Sequence, residues 1–248
     1  MDIAVCIRRV TQEQEPRQSK INPPDRNALE EALKLKERFS GKVIVLTMDA
    51  PVASGALEEA LAVGADEVVL ICDESCSGAD TLATAYTLAC GIRSISHFDL
   101  ILCGNESMTG ATGQVGPQLA EFLELPHVTY ARKIEVIDEQ RALVERALEY
   151  GYMKVDVQLP AVIAVVREIN RPRLPTVTGI MEAAEKEVKV LRVEDIGAES
   201  HSIGLAGSPT CMLGQIEKRF ERRREIFSGP PEESVKKAVA KLKELGVI

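Results

Sequence analysis

Tryptophan is absent from the 248 residues and aromatic side chains make up only 4%, so the chain offers few flat platforms on which bases could stack. Cationic excess is missing too: a formal charge of −8 opposes contact along a phosphate backbone, and together these absences argue against nucleic acid as a partner. No apolar run approaches the ~20 residues of a membrane span, and MDIAVCIRRV reads as a strand with no signal or transit segment, so a cytoplasmic chain without membrane insertion is expected. His97, His127 and His201 stand alone. The cysteines Cys6, Cys72, Cys76, Cys90, Cys103 and Cys211 are scattered, and the one close pair, Cys72 and Cys76, has no second pair or neighbouring histidine to complete a zinc site. They read as free thiols in a reducing compartment. There is no nucleophile elbow, no paired His and Cys spacing, and no Walker loop, because Gly110 to Gly116 contains no lysine. The dinucleotide fingerprint is missing after the first strand, which disfavours an ordinary NAD-dependent dehydrogenase. Such a chain suits a carrier whose hard chemistry belongs to a bound group.

What is present describes a globular protein, 45% hydrophobic and 27% charged, of one large domain or one domain with an extension. Apolar strand patterns at Asp2 to Ile7, Lys42 to Met48, Glu67 to Ile71 and Leu100 to Cys103 alternate with helical patterns at Asn27 to Arg38, Ala53 to Val63, Asp80 to Ile92 and Gln114 to Leu123. Crossovers of that length demand an α/β fold, a mostly parallel doubly wound sheet with ligands at the carboxyl ends of its strands. That edge collects Arg8-Arg9-Val10, Thr47-Met48-Asp49 and the Gly104 to Gly113 loop. Short strands at Lys133 to Asp138, Arg141 to Leu148 and Met153 to Val157, with turns at Asp138-Glu139 and Tyr150-Gly151, predict an antiparallel addition. The α/β domain is expected over residues 1–193. Beyond it a Gly-, Ser- and Pro-containing linker leads to an amphipathic helix at Ser234 to Leu245, capped by Ser234 or favoured by Glu232 and Glu233, so that 194–248 reads as an extended arm.

Two segments carry the most information. Leu100 to Leu123 runs from a short strand through a Gly-rich loop, Gly104 to Gly113, into a helix. Small residues let backbone approach a ligand, and a helix N-terminus offers unpaired N–H groups and partial positive charge, a combination that suits phosphate or pyrophosphate. Thr109, Thr112 and Gln114 add hydroxyl and amide partners. In Leu159 to Met181, a buried strand at Ala161 to Val166 gives way to a loop in which Pro172 and Pro175 prevent helix, so Asn170 to Thr178 is expected to be a stiff surface loop with helix resuming near Gly179. Such a loop either joins two core elements or meets a partner.

Together these segments resemble the β subunit of electron transfer flavoproteins. Leu159 to Val162, Asn170 to Arg173 and Ile180-Met181 match that family's Leu-Pro-Ala-Val strand end, Asn-x-Pro-Arg loop and Ile-Met helix start. Ile3 to Val10 resembles its Val-Lys-x-Val ending, Asn22-Pro23-Pro24-Asp25 its Asn-Pro-x-Asp turn, and Thr112 to Glu121 its Thr-Ala-Gln-Val-Gly-Pro-Gln helix start. The resemblance implies an adenine-nucleotide α-hydrolase-like fold and one nucleotide at the sheet edge. This would be AMP in some members, or, in electron-bifurcating ones, a second FAD that takes a hydride from NADH. Carried over by position, the cofactor residues are Ile7, Val10, Asn22, Asp25, Met48, Gly104, Thr109, Gly110, Ala111, Thr112, Gly113, Gln114 and Val115. For Asp25 the residues themselves also suggest a cap on the helix beginning near Asn27.

The family pattern has Asp-x-Asp where this chain has Thr109 and Ala111, so fewer anions ease binding of a pyrophosphate while a hydrogen-bond contact is lost; the Gln114-Val115-Gly116-Pro117 entry and the Arg173-Leu174-Pro175 loop resemble bifurcating or anaerobic members, and that resemblance favours FAD with AMP as the alternative. The resemblance also implies an α-subunit partner met by the arm, NADH in the bifurcating type, and a flavin-containing dehydrogenase recognised through Asn170, Pro172, Arg173, Leu174, Pro175, Val177, Ile180 and Met181. Val177 would be the apolar anchor, and Glu182, Ala184 and Glu185 stand where the family has lysines. A stand-alone adenine-nucleotide-binding module of the same architecture is the alternative; it would need neither that loop nor the tail.

Overall fold

The computed structural model describes residues 1–12, 15–51, 54–211, 214 and 224–247. The apolar runs become strands β1 (Ile3–Cys6), β4 (Val43–Met48), β5 (Glu67–Ile71), β6 (Leu100–Gly104) and β10 (Ala161–Val165), and the polar hairpin strands β2 (Arg9–Gln12) and β3 (Glu15–Ile21) form a separate small sheet. Helix α1 (Pro23–Phe39) follows that hairpin, α2 (Ser54–Ala62) follows β4, α3 (Thr81–Ile95) follows β5, and α4 (Val115–Leu123) follows β6. Of the helix expected from Ala53, that first residue lies outside the described residues.

Alternate residues of one strand serve two cores. Ile3, Val5 and Ile7 belong to the cluster with Leu29 and Leu33 of α1 and Leu57 of α2, whereas Ala4 and Cys6 belong to the cluster with Leu88 of α3 and Leu119 of α4. A strand buried on both faces has no reason to alternate apolar with polar residues, and none of these does. With β7 (His127–Asp138), β8 (Arg141–Leu148), β9 (Gly151–Gln158) and β11 (Lys189–Leu191), the nine-stranded sheet runs β11-β5-β4-β1-β6-β10-β7-β8-β9. Every pair from β11 to β7 is parallel, and β8 and β9 add on antiparallel. The doubly wound sheet with its antiparallel addition is therefore as expected.

The chain moves outward from β1 through β4 to β5, then returns to place β6 on the other side of β1. This is a topological switch point, where crossovers diverge and leave a crevice at the strand ends.

Several boundaries differ from the sequence reading. β7 begins at His127 rather than Lys133, because its first half pairs parallel with β10 before its second half turns to β8, with a register shift and Tyr130 at φ +56° between. The turns fall at Glu139-Gln140 and Glu149-Tyr150, one residue from the expected positions. Residues 194–210, expected to begin the arm, pack on the α/β unit: Ile196 and Ile203 are buried, and Thr210 donates to the Asp80 carboxylate that caps α3. Contacts divide the chain into compact units Met1–Cys211 and Met212–Ile248. In the second unit, α6 (Pro231–Glu244) starts three residues before Ser234, with Pro230 at its cap position. The Ser234 hydroxyl bonds back to Gly229 O at 3.3 Å instead of capping.

Ile163 on β10 has no exposed surface and packs in the first core. Its replacement by alanine is expected to cost about 2–5 kcal/mol, seen as a lower midpoint with unchanged slope in urea unfolding.

Candidate functional site

The carboxyl ends of β1, β4, β5 and β6 surround a cleft of about 900 Å³ at the switch point, near the top of the roughly 300–1,000 Å³ range of small-molecule sites. Its floor is fixed by Asp25, in the first turn of α1. The carboxylate is 5% exposed and accepts the Arg8 backbone N–H at 2.7 Å with one oxygen and the Gly104 backbone N–H at 2.9 Å with the other. One side chain thus ties the exits of β1 and β6 across the crevice. Asp25 does not cap α1, whose cap position is Asn22; the prolines start the helix upstream of Asn27 and turn Asp25 inward. A Cβ on Gly104 would collide with an Asp25 carboxylate oxygen and with Pro24, so close approach requires glycine there.

Asn22, only 1% exposed, anchors the loop after β6: its amide donates to Glu106 O at 3.0 Å and its side-chain oxygen accepts from the Met108 N–H at 3.1 Å. Ser107 then closes a turn by accepting from the Gly110 N–H through its hydroxyl and from the Ala111 N–H through its carbonyl. The loop passes through Gly113 at φ +63° into α4, where the Val115 and Gly116 N–H groups have no acceptor among the described residues. These are donors aimed outward with the helix dipole behind them.

Charge around the cleft is divided. Arg9 is held by Asp49 through contacts of 2.8 and 3.1 Å, joining the start of β2 to the end of β4. Arg8 is exposed, and its guanidinium lies 3.9 Å from the point a Cβ on Gly110 would occupy. Burial pushes the Asp25 carboxyl up to about 7 from 3.8, against the opposing hydrogen bonds from Arg8, Gly104 and Asn22. Burial, reinforced by Asp25, also lifts the Cys6 thiol to about 12, and burial with Cys6 and Asp25 lifts Cys103. Burial thus disfavours the thiolate at both floor cysteines.

Of the residues singled out from sequence, Ile7, Asn22, Asp25, Met48 and Gly104 line the cleft from the strand ends, and Gly110, Thr112, Gly113, Gln114 and Val115 line it from the loop. Val10 does not; it pairs with Lys20 in the hairpin. Thr109 and Ala111 are exposed and also lie off the lining, Ala111 at φ +48°. The aspartates of the family pattern would therefore stand outside the cleft wall. Sequence reasoning placed Arg8 and Asn105 at the ligand edge without assigning either to the site, and it missed the far wall formed by Cys72, Asp73, Cys76, Ser77, Thr81 and Thr84. The strand-end rule would have found Cys72, which immediately follows β5. Among the described residues no cluster of His, Cys, Asp and Glu could hold a metal ion, and no helix is long and apolar enough to cross a membrane.

The loop at 170–176 is pinned from beneath. Asn27 and Asn170 exchange amide hydrogen bonds at 2.9–3.0 Å, and Arg173 forks onto Glu30 at 2.8 and 3.1 Å and reaches Glu37 at 2.6 Å. Asn170 and Arg173 are thus turned toward α1. Outward stand Pro172 and Pro175, with Leu174 84%, Val177 77%, Ile180 53% and Met181 66% exposed. Helix α5 (Val177–Glu185) begins two residues before Gly179, because the Thr176 hydroxyl accepts from the Gly179 N–H and caps it.

A doubly wound sheet whose switch-point crevice is floored by Asp25 and rimmed by a glycine loop leading into a helix defines an α/β protein with a ligand cleft where such sheets bind their ligands. Comparison with known proteins makes the class specific. The family model described as the electron transfer flavoprotein domain matches residues 11–196. The electron transfer flavoprotein subunit beta of Thermoanaerobacterium thermosaccharolyticum is 44% identical over 229 residues, covering 92% of this chain and 87% of that one. That of Clostridium acetobutylicum is 40% identical over 257 residues, covering 98% of each. The caffeyl-CoA reductase-Etf complex subunit CarD of Acetobacterium woodii is 42% identical over 230 residues, covering 92% and 87%. This chain belongs to the electron transfer flavoprotein family as a β subunit, and its function is electron transfer.

Two measurements check this geometry. Because the folded state favours protonated Asp25, its contribution to stability is full below about pH 4 and is lost as pH rises to about 7. The urea midpoint of Asp25→Asn should lack that component of the pH slope, and identical slopes would remove Asp25 as its source. Arg173→Ala, which strands the 6% exposed Glu30 carboxylate, should cost about 1–3 kcal/mol and open residues 170–176 to limited proteolysis.

Proposed function

We propose that the cleft holds FAD in preference to AMP, and that the chain acts as the β subunit of a heterodimer passing electrons between NADH or a flavin dehydrogenase and an acyl-CoA-type dehydrogenase. The observation that carries this reading is the switch-point cleft itself. Its volume is generous for a mononucleotide, and the residues from Ser107 onward in the loop that line it, Ser107, Gly110 and Thr112 to Gly116, bring no carboxylate to repel a second phosphate. Unpaired N–H groups at the start of α4 suit that charge. Bound there, the flavin would supply the hydride and electron chemistry. The chain's residues grip and orient: Ile7 and Met48 furnish apolar wall, Asp25 keeps the strand ends together, and the Gly110 to Gly113 turn lets backbone approach closely.

The name of the Acetobacterium relative, a subunit of a caffeyl-CoA reductase complex, supports an acyl-CoA-type partner. The exposed strip of Leu174, Val177, Ile180 and Met181 supports the reading of this loop as the dehydrogenase-recognition surface, and the exposed Val235, Val239 and Leu242 of α6 support an arm that meets the α subunit. A cytoplasmic location accords with the free cysteines.

Co-expression with the α subunit, followed by extraction and quantitation of bound nucleotide, tests the cofactor. Two FAD per heterodimer are expected; one FAD and one AMP would overturn the preference. For the recognition surface, Val177→Asp should lower electron transfer to the partner dehydrogenase at least tenfold with flavin content unchanged, since a buried anchor at an interface is worth more than about 1.4 kcal/mol. Undiminished transfer to every candidate dehydrogenase would refute it.

A further inference from the structure

The buried polar side chains of the cleft are not equally occupied. Asn22, Thr47 and Asp25 each spend their hydrogen-bonding atoms on backbone: Asn22 on Glu106 and Met108, Thr47 on Ile7 O, Asp25 on two strand ends. Asn105, 7% exposed, is different. Its backbone N–H donates to Val165 O at 2.8 Å, and its side-chain oxygen accepts from the Tyr130 N–H at 3.0 Å. These two bonds, to the end of β10 and to the bulge of β7, fix the amide plane and leave Nδ2 on the far side. There it lies 3.9 Å from the point a Cβ on Gly113 would occupy, and no described residue accepts from it. Unlike the enclosed Nε atoms of Arg26 and Arg146, Nδ2 belongs to a residue that opens on the cleft. The side chain is thus buried and fixed while its donor faces the cleft uncommitted, placed to meet an acceptor from outside the chain.

The acceptor's chemistry follows from its neighbours. Nδ2 stands at the Gly113 end of the turn, the end that leads into α4, whose Val115 and Gly116 N–H groups have no acceptor among the described residues. At the Gly110 end stands the Arg8 guanidinium, from the opposite wall of the crevice. Arg9 is committed to Asp49, and Arg8 forms no ion pair with any described residue. Two donor groups therefore mark the two ends of one short turn, a neutral amide with helix N–H groups at one and a cation at the other.

Resting on the nucleotide reading above, we propose that Asn105 and Arg8 are the specificity-determining residues of the cleft, each holding one phosphate of a diphosphate-bearing nucleotide and together discriminating it from a monophosphate. Asn105 receives the phosphate at α4, where its fixed amide adds a directional hydrogen bond to the helix donors. Arg8 receives the second phosphate, for which a monophosphate has no counterpart.

The test is calorimetric titration of the co-purified heterodimer, stripped of nucleotide from this cleft, with ADP and AMP as probes. Asn105→Asp keeps the acceptor for Tyr130 but turns the donor into an anion. It should bind ADP at least tenfold more weakly than wild type, with an unchanged thermal midpoint without nucleotide. Arg8→Gln should lower ADP affinity tenfold, leave AMP affinity within about threefold, and flatten the salt dependence of ADP binding. Wild type binding ADP and AMP equally, or Arg8→Gln weakening both alike, would defeat the diphosphate assignment while leaving a nucleotide cleft intact. Asn105→Asp binding ADP as wild type does would remove Asn105 from it. Failure of wild type to bind either probe would overturn this inference and the nucleotide reading together.

Discussion

Everything at the ligand edge depends on a buried carboxylate that joins two strand ends. At a switch point the crossovers leave β1 and β6 in opposite directions, so no connecting segment holds their exits together. Asp25 does, with one oxygen on each backbone N–H. The arrangement opposes its own charge, since burial favours the protonated acid while both donors favour the anion. It persists because the alternative is two buried N–H groups without acceptors. Loop, glycine turn and helix start then follow from where that carboxylate places Gly104.

Around this tie the chain uses asparagine as joinery. Asn22 fastens the loop after β6, Asn105 gathers β10 and β7, and the Asn27 and Asn170 pair holds the loop over α1. An amide donates and accepts at once without bringing a charge into a low-dielectric interior, which suits it to joining segments whose carbonyl and N–H groups both need partners. Where charge is used for the same purpose, at Glu30 and Arg173, it comes as a forked pair with the arginine partly in water.

Much of this was legible beforehand where hydrophobic burial dictates the outcome. The runs Val43 to Leu46, Val68 to Ile71 and Ala161 to Val165 admit few readings other than buried parallel strands, and the glycine loop between β6 and α4 announced its place at the strand ends. The hairpin of β2 and β3 was not legible, because its sequence is polar and its pairing is set by where Arg9 meets Ile21 rather than by alternation. The first half of β7 was hidden for a related reason: it owes its pairing to β10, whose Val162, the partner of His127, comes 35 residues later in the chain. Asp25 was misjudged as a cap because acidic residues near a helix start usually face water; only the meeting of β1 and β6 turns it inward. Arg8 and Asn105 were placed at the strand ends, but nothing in the sequence sets them apart from their neighbours; what distinguishes them is which groups around them are already taken.

The loop above α1 has a kinetic consequence. Asn27, Glu30 and Glu37 hold its base before any other molecule arrives, so its exposed apolar crest has little configurational freedom left to surrender on contact. In the recognition role proposed for it, so small and stiff an apolar crest would lose little on docking and bury little area, which would keep each encounter short, as suits a protein that collects electrons at one site and delivers them at another.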